Sequence, residues 1–304
     1  MKHSRRSFVK GSTASLICGS ALLSGRDLYA ETLSLPLGLQ LYSVRDLLPK
    51  DYAGTLKQIG ALGYREVESA GYYNHSAAEV KQALNTANLK LVSAHYSSND
   101  LHEKFDEIIA FNKELGVSYI ICSFPGFKDP SRLKAMKPGD RDHAFNLDDW
   151  RWNAEEFNKF GEKVSAAGMK FGYHNHTMEF HKVEGVVPFE ELMRLTDPSK
   201  VTIEMDCGWV IVGGGNPVEY LKKYPTRISM LHVKDFKRAT SSGGRPVNAE
   251  LGQGSIDYRP IFEAAAKTGH VKHCFVEQEG FDVPPMESLK IDAEYMRKLG
   301  ARLA

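Results

Sequence analysis

The chain has 304 residues, 42% hydrophobic and 25% charged. That is ordinary globular usage and excludes a disordered tail, a collagen-like repeat and a coiled coil. Its 39 basic residues against 38 acidic ones leave a formal charge of +1, which gives no electrostatic footprint for nucleic acid. Four cysteines are too few for a disulfide scaffold.

At the N-terminus, Ser4-Arg5-Arg6-Ser7-Phe8-Val9-Lys10 resembles a twin-arginine export signal, and a mild apolar run from Ala14 to Leu23 follows. The run is too short and too polar to span a bilayer. The sequence therefore predicts a signal peptide over residues 1–30, cleaved near Ala30, and a folded domain over 31–304. It also predicts the twin-arginine export machinery as a partner, a periplasmic or otherwise extracytoplasmic destination, and no stable membrane insertion after cleavage. Ile17, before Cys18, is not the small residue that a lipoprotein site needs. Without the leader, 34 basic and 37 acidic residues remain, a net charge of −3. Cys122, Cys207 and Cys274 sit in or at the end of apolar strand-like runs and are expected as buried thiols.

Short β-branched runs then alternate with helical patterns. The predicted strands are Leu37–Tyr42, Tyr64–Glu68, Lys90–His95, Ser118–Phe124, Lys170–Asn175, Val201–Asp206, Ile228–Lys234 and His273–Gln278. Helices are predicted at Tyr52–Leu62, Ala78–Leu84, Leu101–Leu115, Asp149–Ala167, Phe189–Leu195, Pro217–Tyr224, Tyr258–Thr268 and Met286–Leu299. Gly63, Gly116, Gly168 and Gly269 fall where helices should end before a strand. Eight strand–helix units in one chain predict a single-domain α/β fold, a (β/α)8 TIM barrel. A doubly wound sheet fits less well, because the first strand lacks a G-x-G-x-x-G turn. Gly213-Gly214-Gly215 has no Lys-Ser/Thr beside it and does not read as a phosphate cradle. Pro125–Leu147 is a long insertion on the catalytic face of such a barrel and is expected to act as a lid.

Barrel chemistry collects at the C-terminal strand ends. Here those ends carry His95, His174-Asn175-His176 with Glu179 beyond, Asp206, His232 with Lys234 and Asp235, and Glu277 with Glu279. Asp206, His232 and Glu277 come from three consecutive strands and are expected to meet across the mouth. A mixed N/O set suits one divalent ion, Mn²⁺ first, with Zn²⁺, Co²⁺ or Mg²⁺ as alternatives. A buried ion-pair and hydrogen-bond network is the plainer alternative. His75, His102, His143 and His273 read as loop, surface or packing histidines.

Tyr173-His174-Asn175-His176, Glu204-Met205-Asp206, Leu231-His232-Val233-Lys234-Asp235, Leu251-Gly252-Gln253-Gly254-Ser255-Ile256-Asp257-Tyr258 and Val276-Glu277 occur in this order, after an opening Gly38-Leu39-Gln40-Leu41-Tyr42-Ser43. Together they resemble the xylose-isomerase-like TIM barrels, the superfamily of sugar phosphate isomerases/epimerases, ketose 3-epimerases, inosose dehydratases and endonuclease IV. The resemblance spans residues 37–299. It implies a metal held by a Glu after the fifth strand, then by residues matching Asp206, His232 and Glu277. The fifth-strand Glu has no clean match. Either His174 is the ligand or Glu179 folds back to supply the missing carboxylate, and Glu179 is the first expectation. Trp209 stands where many epimerases carry a substrate-binding His. The His-Asn-His strand end is closer to the inosose-dehydratase-like branch.

A metal of this kind acidifies the C–H beside a carbonyl, and a carboxylate or imidazole can then remove the proton. The sequence therefore predicts a sugar isomerase or epimerase acting on a keto-sugar or related carbohydrate through an enediolate. The alternatives are a dehydratase or lyase on a 3-keto-sugar, keto-glycoside or inosose, and a non-catalytic carbohydrate-binding barrel. Glu277 and one of Glu179, His174 or His176 are the expected proton-transfer groups, with an imidazole of ordinary pKa near neutrality suiting protonation of a departing oxygen. Lys234 is expected to polarise an oxygen, or to sit in an ion pair with Glu204 or Asp235. His95, Gln40 and Glu68 are expected to bind sugar hydroxyls, and Trp209 to contact substrate as an apolar wall. A trinuclear nuclease is disfavoured by the net negative charge.

Overall fold

The computed structural model describes residues 35–135, 143–237 and 246–300. The predicted signal peptide and the middle of the predicted lid, residues 136–142, lie outside the described residues. Eight parallel strands close into a barrel: β1 (Gly38–Gln40), β2 (Glu66–Ser69), β3 (Lys90–Ser97), β4 (Tyr119–Phe124), β5 (Lys170–His174), β6 (Val201–Asp206), β7 (Ile228–Val233) and, last in chain order, β10 (His273–Val276). Around the ring each strand pairs with its sequence neighbour, and β10 closes onto β1 through Gly38↔Phe275 and Leu39↔Val276. The predicted (β/α)8 barrel is therefore the observed fold. Two short antiparallel strands, β8 (Asp235–Lys237) and β9 (Val247–Ala249), were not predicted. They lie between β7 and the next helix and carry no long apolar alternation that would mark them.

Helices form where the sequence offers caps. Ser76 with Glu79, and Asn146 with Asp149, make reciprocal capping boxes at the starts of Ala77–Ala87 and Leu147–Ala166. A third box, Ser97 with Asp100, starts a short helix directly on the end of β3, so the predicted Leu101–Leu115 divides into Ser98–Glu103 and Phe105–Leu115. Gly116 ends the second of these at φ 78°, the left-handed conformation expected of a C′ glycine. The base of the insertion is fastened. Asn153 donates to the Gly126 carbonyl (2.7 Å) and accepts its N–H (2.8 Å), and Phe127 stacks on Phe145 at 4.2 Å.

Helices and barrel share one large apolar layer. A separate plug of Val92, Tyr119, Ile121, Met230 and Phe275 fills the barrel's interior. Gly172 leaves room for it: a Cβ there would lie 2.7 Å from Ile121 Cδ1. Cys122, Cys207 and Cys274 are buried free thiols, as expected. No helix of the described residues is long and apolar enough to cross a membrane.

Candidate active site

Inward side chains of a parallel barrel fall into tiers, because register and pleat bring alternate residues of neighbouring strands to one height. Above the plug, register sets Asp206 beside His232 and His174 beside Glu204. This brings His174, Asp206, His232 and Glu277 together, with one donor atom of each within 4.8 Å of the others. His232 Nδ1 lies 3.1 Å from Glu277 Oε2 and 4.0 Å from Asp206 Oδ2. Asp206 ends β6 and also caps the helix Cys207–Val212. Its Oδ1 accepts the Trp209 N–H at 2.7 Å, while its buried Oδ2 has no hydrogen-bond partner. A carboxylate with one oxygen pinned by a backbone N–H and the other facing an imidazole and a second carboxylate fits a divalent ion.

Lys234 supplies the counter-charge. Its Nζ sits 2.8 Å from Glu277 Oε2, 3.2 Å from Asp206 Oδ2 and 2.5 Å from Glu279 Oε1, and lies 4.7 Å from the Trp209 ring centre. These partners replace the expected Glu204 or Asp235. Asp235 instead accepts the backbone N–H groups of Phe236, Gly252, Gly254, Ser255 and Ile256 at 2.8–3.1 Å. That clamp ties His232-Val233-Lys234-Asp235 to Leu251–Ile256: one carboxylate folds the second motif.

Protonation follows these contacts. Burial alone would raise the Glu277 carboxyl, but the Lys234 ammonium and His232 hold it well below the usual range. Asp206 is pushed up to about 6, by burial against the pull of Lys234. Burial would strip the Lys234 proton, yet Asp206, Glu277 and Glu279 raise its pKa above the ordinary lysine value. Burial and then the charge of Lys234 push His176 down to about 3, and burial with the neighbouring imidazoles lowers His174 well below 6.5. Both are therefore neutral near pH 7. This differs from the expected near-neutral proton donor on the fifth strand. The protonated groups are Lys234 and, against burial, His95 and His232, which Glu68 and Glu204 raise, His95 to about 9.

The structure divides the remaining sequence candidates. Glu179 is buried and turned from the mouth. Its Oε1 accepts the Tyr173 hydroxyl at 2.5 Å and its Oε2 the His176 N–H at 2.9 Å, and it is in neither of the two clusters of metal-competent donors. His174 takes the place expected of it. Gln40 and Glu68 are fully buried, joined by a 2.7 Å hydrogen bond, and sit beneath the mouth rather than along it. In this structure both make their contacts within the barrel, Glu68 with His95 and His232 as well as Gln40. His95, His174, His176, Glu277 and Glu279 do line the mouth cavity of about 490 Å³, with Tyr42, Tyr96, Asp100 and Phe124 among its walls. Trp209 packs on Phe236 at 4.9 Å with the rings tilted by 43°, near His176 at 6.3 Å. The buried His176 Nδ1 and Trp209 Nε1 lack hydrogen-bond partners, which suits them to substrate oxygens.

Glu204 was missed as a site residue. Its Oε2 lies 2.6 Å from His95 Nε2, 3.1 Å from His174 Nδ1 and 3.2 Å from His232 Nε2, making a second cluster with those histidines. The available signal was its spacing: Glu204 stands two residues before Asp206 in the same strand, hence on the same face.

The family pattern of the xylose isomerase-like TIM barrels matches residues 56–299. The chain is similar to an inosose dehydratase of Clostridium botulinum (strain Alaska E43 / Type E3), 29% identical over 245 residues, 74% of this chain and 80% of that protein. A sugar phosphate isomerase/epimerase from Parabacteroides distasonis ATCC 8503 superposes with a TM-score of 0.68 at 27% identity, covering 90% of this chain and 96% of that one. The IOLI protein, which holds a zinc atom, shares the fold at a TM-score of 0.66 and 14% identity, over 89% of this chain and 99% of its own. Fold and matched sequence agree, and the chain belongs to the xylose isomerase-like TIM barrel family.

Proposed function

We propose that this protein is a metal-dependent dehydratase or lyase that eliminates a β-oxygen substituent from a keto-sugar, an inosose or a keto-glycoside. The observation that carries the reading is the fifth-strand face. A two-base epimerase needs a second acid–base group opposite Glu277, and the nearby candidate, Glu179, is committed to Tyr173 and His176. Neutral imidazoles stand there instead. The similarity to proteins named inosose dehydratase supports elimination over epimerisation.

His174, Asp206, His232 and Glu277 would hold the ion. When bound, the ion polarises the substrate carbonyl and acidifies the neighbouring C–H. Glu277 takes that proton, and the C–H electron pair becomes the new C=C bond as the C–O bond at the β-carbon breaks. Lys234 gives its proton to the departing oxygen, so water or an alcohol leaves. The 2.8 Å contact between Lys234 Nζ and Glu277 Oε2 returns the abstracted proton to the amine and resets the site. Base and acid share one edge of the cavity, which makes the elimination syn. His176 and Trp209 hold substrate hydroxyls through their unpartnered nitrogens.

The test is NMR in D₂O of the Mn²⁺-loaded protein with a panel of inososes, 3-keto-sugars and 3-keto-glycosides. Formation of the unsaturated ketone, with water or aglycone released, is the expected result. Exchange at the α-carbon with an epimer or isomer as product would establish the isomerase reading instead. No exchange with any compound would leave a carbohydrate-binding barrel.

Export by the twin-arginine route is a separate proposal, motivated by Ser4–Lys10. Replacing Arg5 and Arg6 with Lys should retain the protein in the cytoplasm. Unchanged periplasmic delivery would dismiss the signal.

A further inference from the structure

Beneath the metal-competent mouth lies a charged tier in a place where barrels normally stack branched aliphatics. Glu68, Glu204 and His232 are fully exluded from solvent there, and the His95 side chain is 11% exposed. His95 Nε2 sits between Glu68 Oε1 at 2.7 Å and Glu204 Oε2 at 2.6 Å, and its ring stacks on His232 at 5.4 Å with 5° between planes. The second oxygens, Glu68 Oε2 and Glu204 Oε1, are buried without hydrogen-bond partners. Burying carboxylates in this way is costly, so the tier calls for a use beyond packing.

The use is visible in which nitrogen each carboxylate takes. Glu68 Oε1 is 2.8 Å from His232 Nε2, the nitrogen opposite the one that faces Glu277 and Asp206. Glu204 Oε2 is 3.1 Å from His174 Nδ1. A carboxylate can only accept, so each fixes an N–H on the nitrogen it touches. The other His174 nitrogen keeps its lone pair, whereas His232 Nδ1 also faces Glu277 Oε2 at 3.1 Å and would give up its proton where an ion stands between the two. With an ion bound, the two histidines would thereby be set in opposite tautomers, Nε2–H in His232 and Nδ1–H in His174. Each tautomer bares the nitrogen that Glu68 or Glu204 does not hold.

We propose that Glu68 and Glu204 are positioning residues that select the metal-binding tautomers of His232 and His174, with His95 as the strut that holds the two carboxylates in place. The inference rests on the mouth site assigned above. Glu68→Gln and Glu204→Gln keep size and shape but offer an amide that can donate to the imidazole and invert its tautomer. Zn²⁺ and Co²⁺ are the probes, with stoichiometry, affinity by chelator competition and the Co²⁺ absorption band as readouts. Wild type should bind one ion. Each Gln variant should still bind one, with the same Co²⁺ band and an affinity about 10- to 100-fold lower, the usual cost of losing an outer partner of a ligating histidine.

Affinities within about threefold of wild type in both variants, by the same scale, would overturn the proposal. So would two ions in wild type with one lost in Glu68→Gln, because the tier would then be a ligand set itself. The mouth assignment is judged separately by Asp206→Asn. If that variant binds metal normally, the functional reading fails. If it loses metal while the Gln variants bind as wild type, only the tautomer proposal fails. Should a Gln variant not fold, ¹⁵N spectra of the Zn²⁺-loaded wild type decide, and an N–H on His232 Nδ1 or His174 Nε2 would reject the idea.

Discussion

The plug and the charged tier are built by the same strands and differ by one step along them. Phe275 and Met230 belong to the plug, and His232, two residues past Met230, belongs to the tier and packs edgewise on Phe275 at 6.0 Å. The plug is held by contact alone, so each residue contributes according to the area it hides. The tier is held by pairing, and each member matters according to what it would strand if removed. The lower tier can therefore tolerate changes of shape within a constant volume, whereas the upper one tolerates hardly any change of charge.

The sharpest break of that comparison is Lys234→Met. It keeps the bulk of the side chain and removes the proton carrier, so turnover should fall about 10²- to 10⁴-fold while metal stoichiometry stays at one. Steady-state kinetics with elemental analysis checks it, and full activity would relieve Lys234 of the donor role. Next, Glu204→Leu should destabilise the fold by about 3–5 kcal/mol, because His95 and His232 lose a partner. Met230→Leu in the plug, a swap at nearly constant volume, should cost about 1.5 kcal/mol or less. Denaturant midpoints of the two variants measure the contrast, and equal costs would mean that pairing does not hold the tier.

A milder effect concerns Asp292, whose carboxyl is pushed up to about 7 by burial despite the Leu251 N–H it accepts at 2.7 Å. In the unfolded chain it titrates at about 3.9. Between those values the native state holds the proton that the unfolded state has released, so stability falls as pH rises from about 4 through 7. Asp292→Asn should flatten this slope, seen as a melting-temperature difference that grows in the variant's favour from pH 5 to pH 8. The smallest expected effect is that of Glu179→Gln: about 1 kcal/mol of stability from an altered hydrogen bond, and unchanged metal stoichiometry. Loss of the ion in this variant would restore Glu179 as a ligand.

Fold and mouth were legible in the sequence for different reasons. Short β-branched apolar runs and glycine helix ends mark the barrel because each is a local requirement. Asp206, His232 and Glu277 could be placed because strand ends of a barrel converge by construction. The direction of Glu179 was not legible: it depends on Tyr173, an outward residue whose hydroxyl reaches over the strand end, and no periodicity encodes that contact. The depth of Gln40 and Glu68, both fully buried, was not legible either. A strand of three residues, Gly38–Gln40, ends lower than its apolar run suggests, because Leu41–Val44 turns into a 3₁₀ helix. The Lys234 partners also needed three dimensions, since Glu277 and Glu279 follow β10, which comes to lie beside β7 only in the folded sheet.

The Asp235 clamp has a consequence for motion. The segment 252–256 has four of its backbone donors on a single carboxylate, and Phe236 contributes the fifth. Such a loop has no gradual way to loosen. Either the carboxylate is seated and all five amides are shielded from solvent exchange, or it is unseated and all five are released together. The unit neighbours Lys234 in sequence, so its opening and closing would be a single slow beat at the edge of the mouth, distinct from the faster rattling of individual side chains around the cavity.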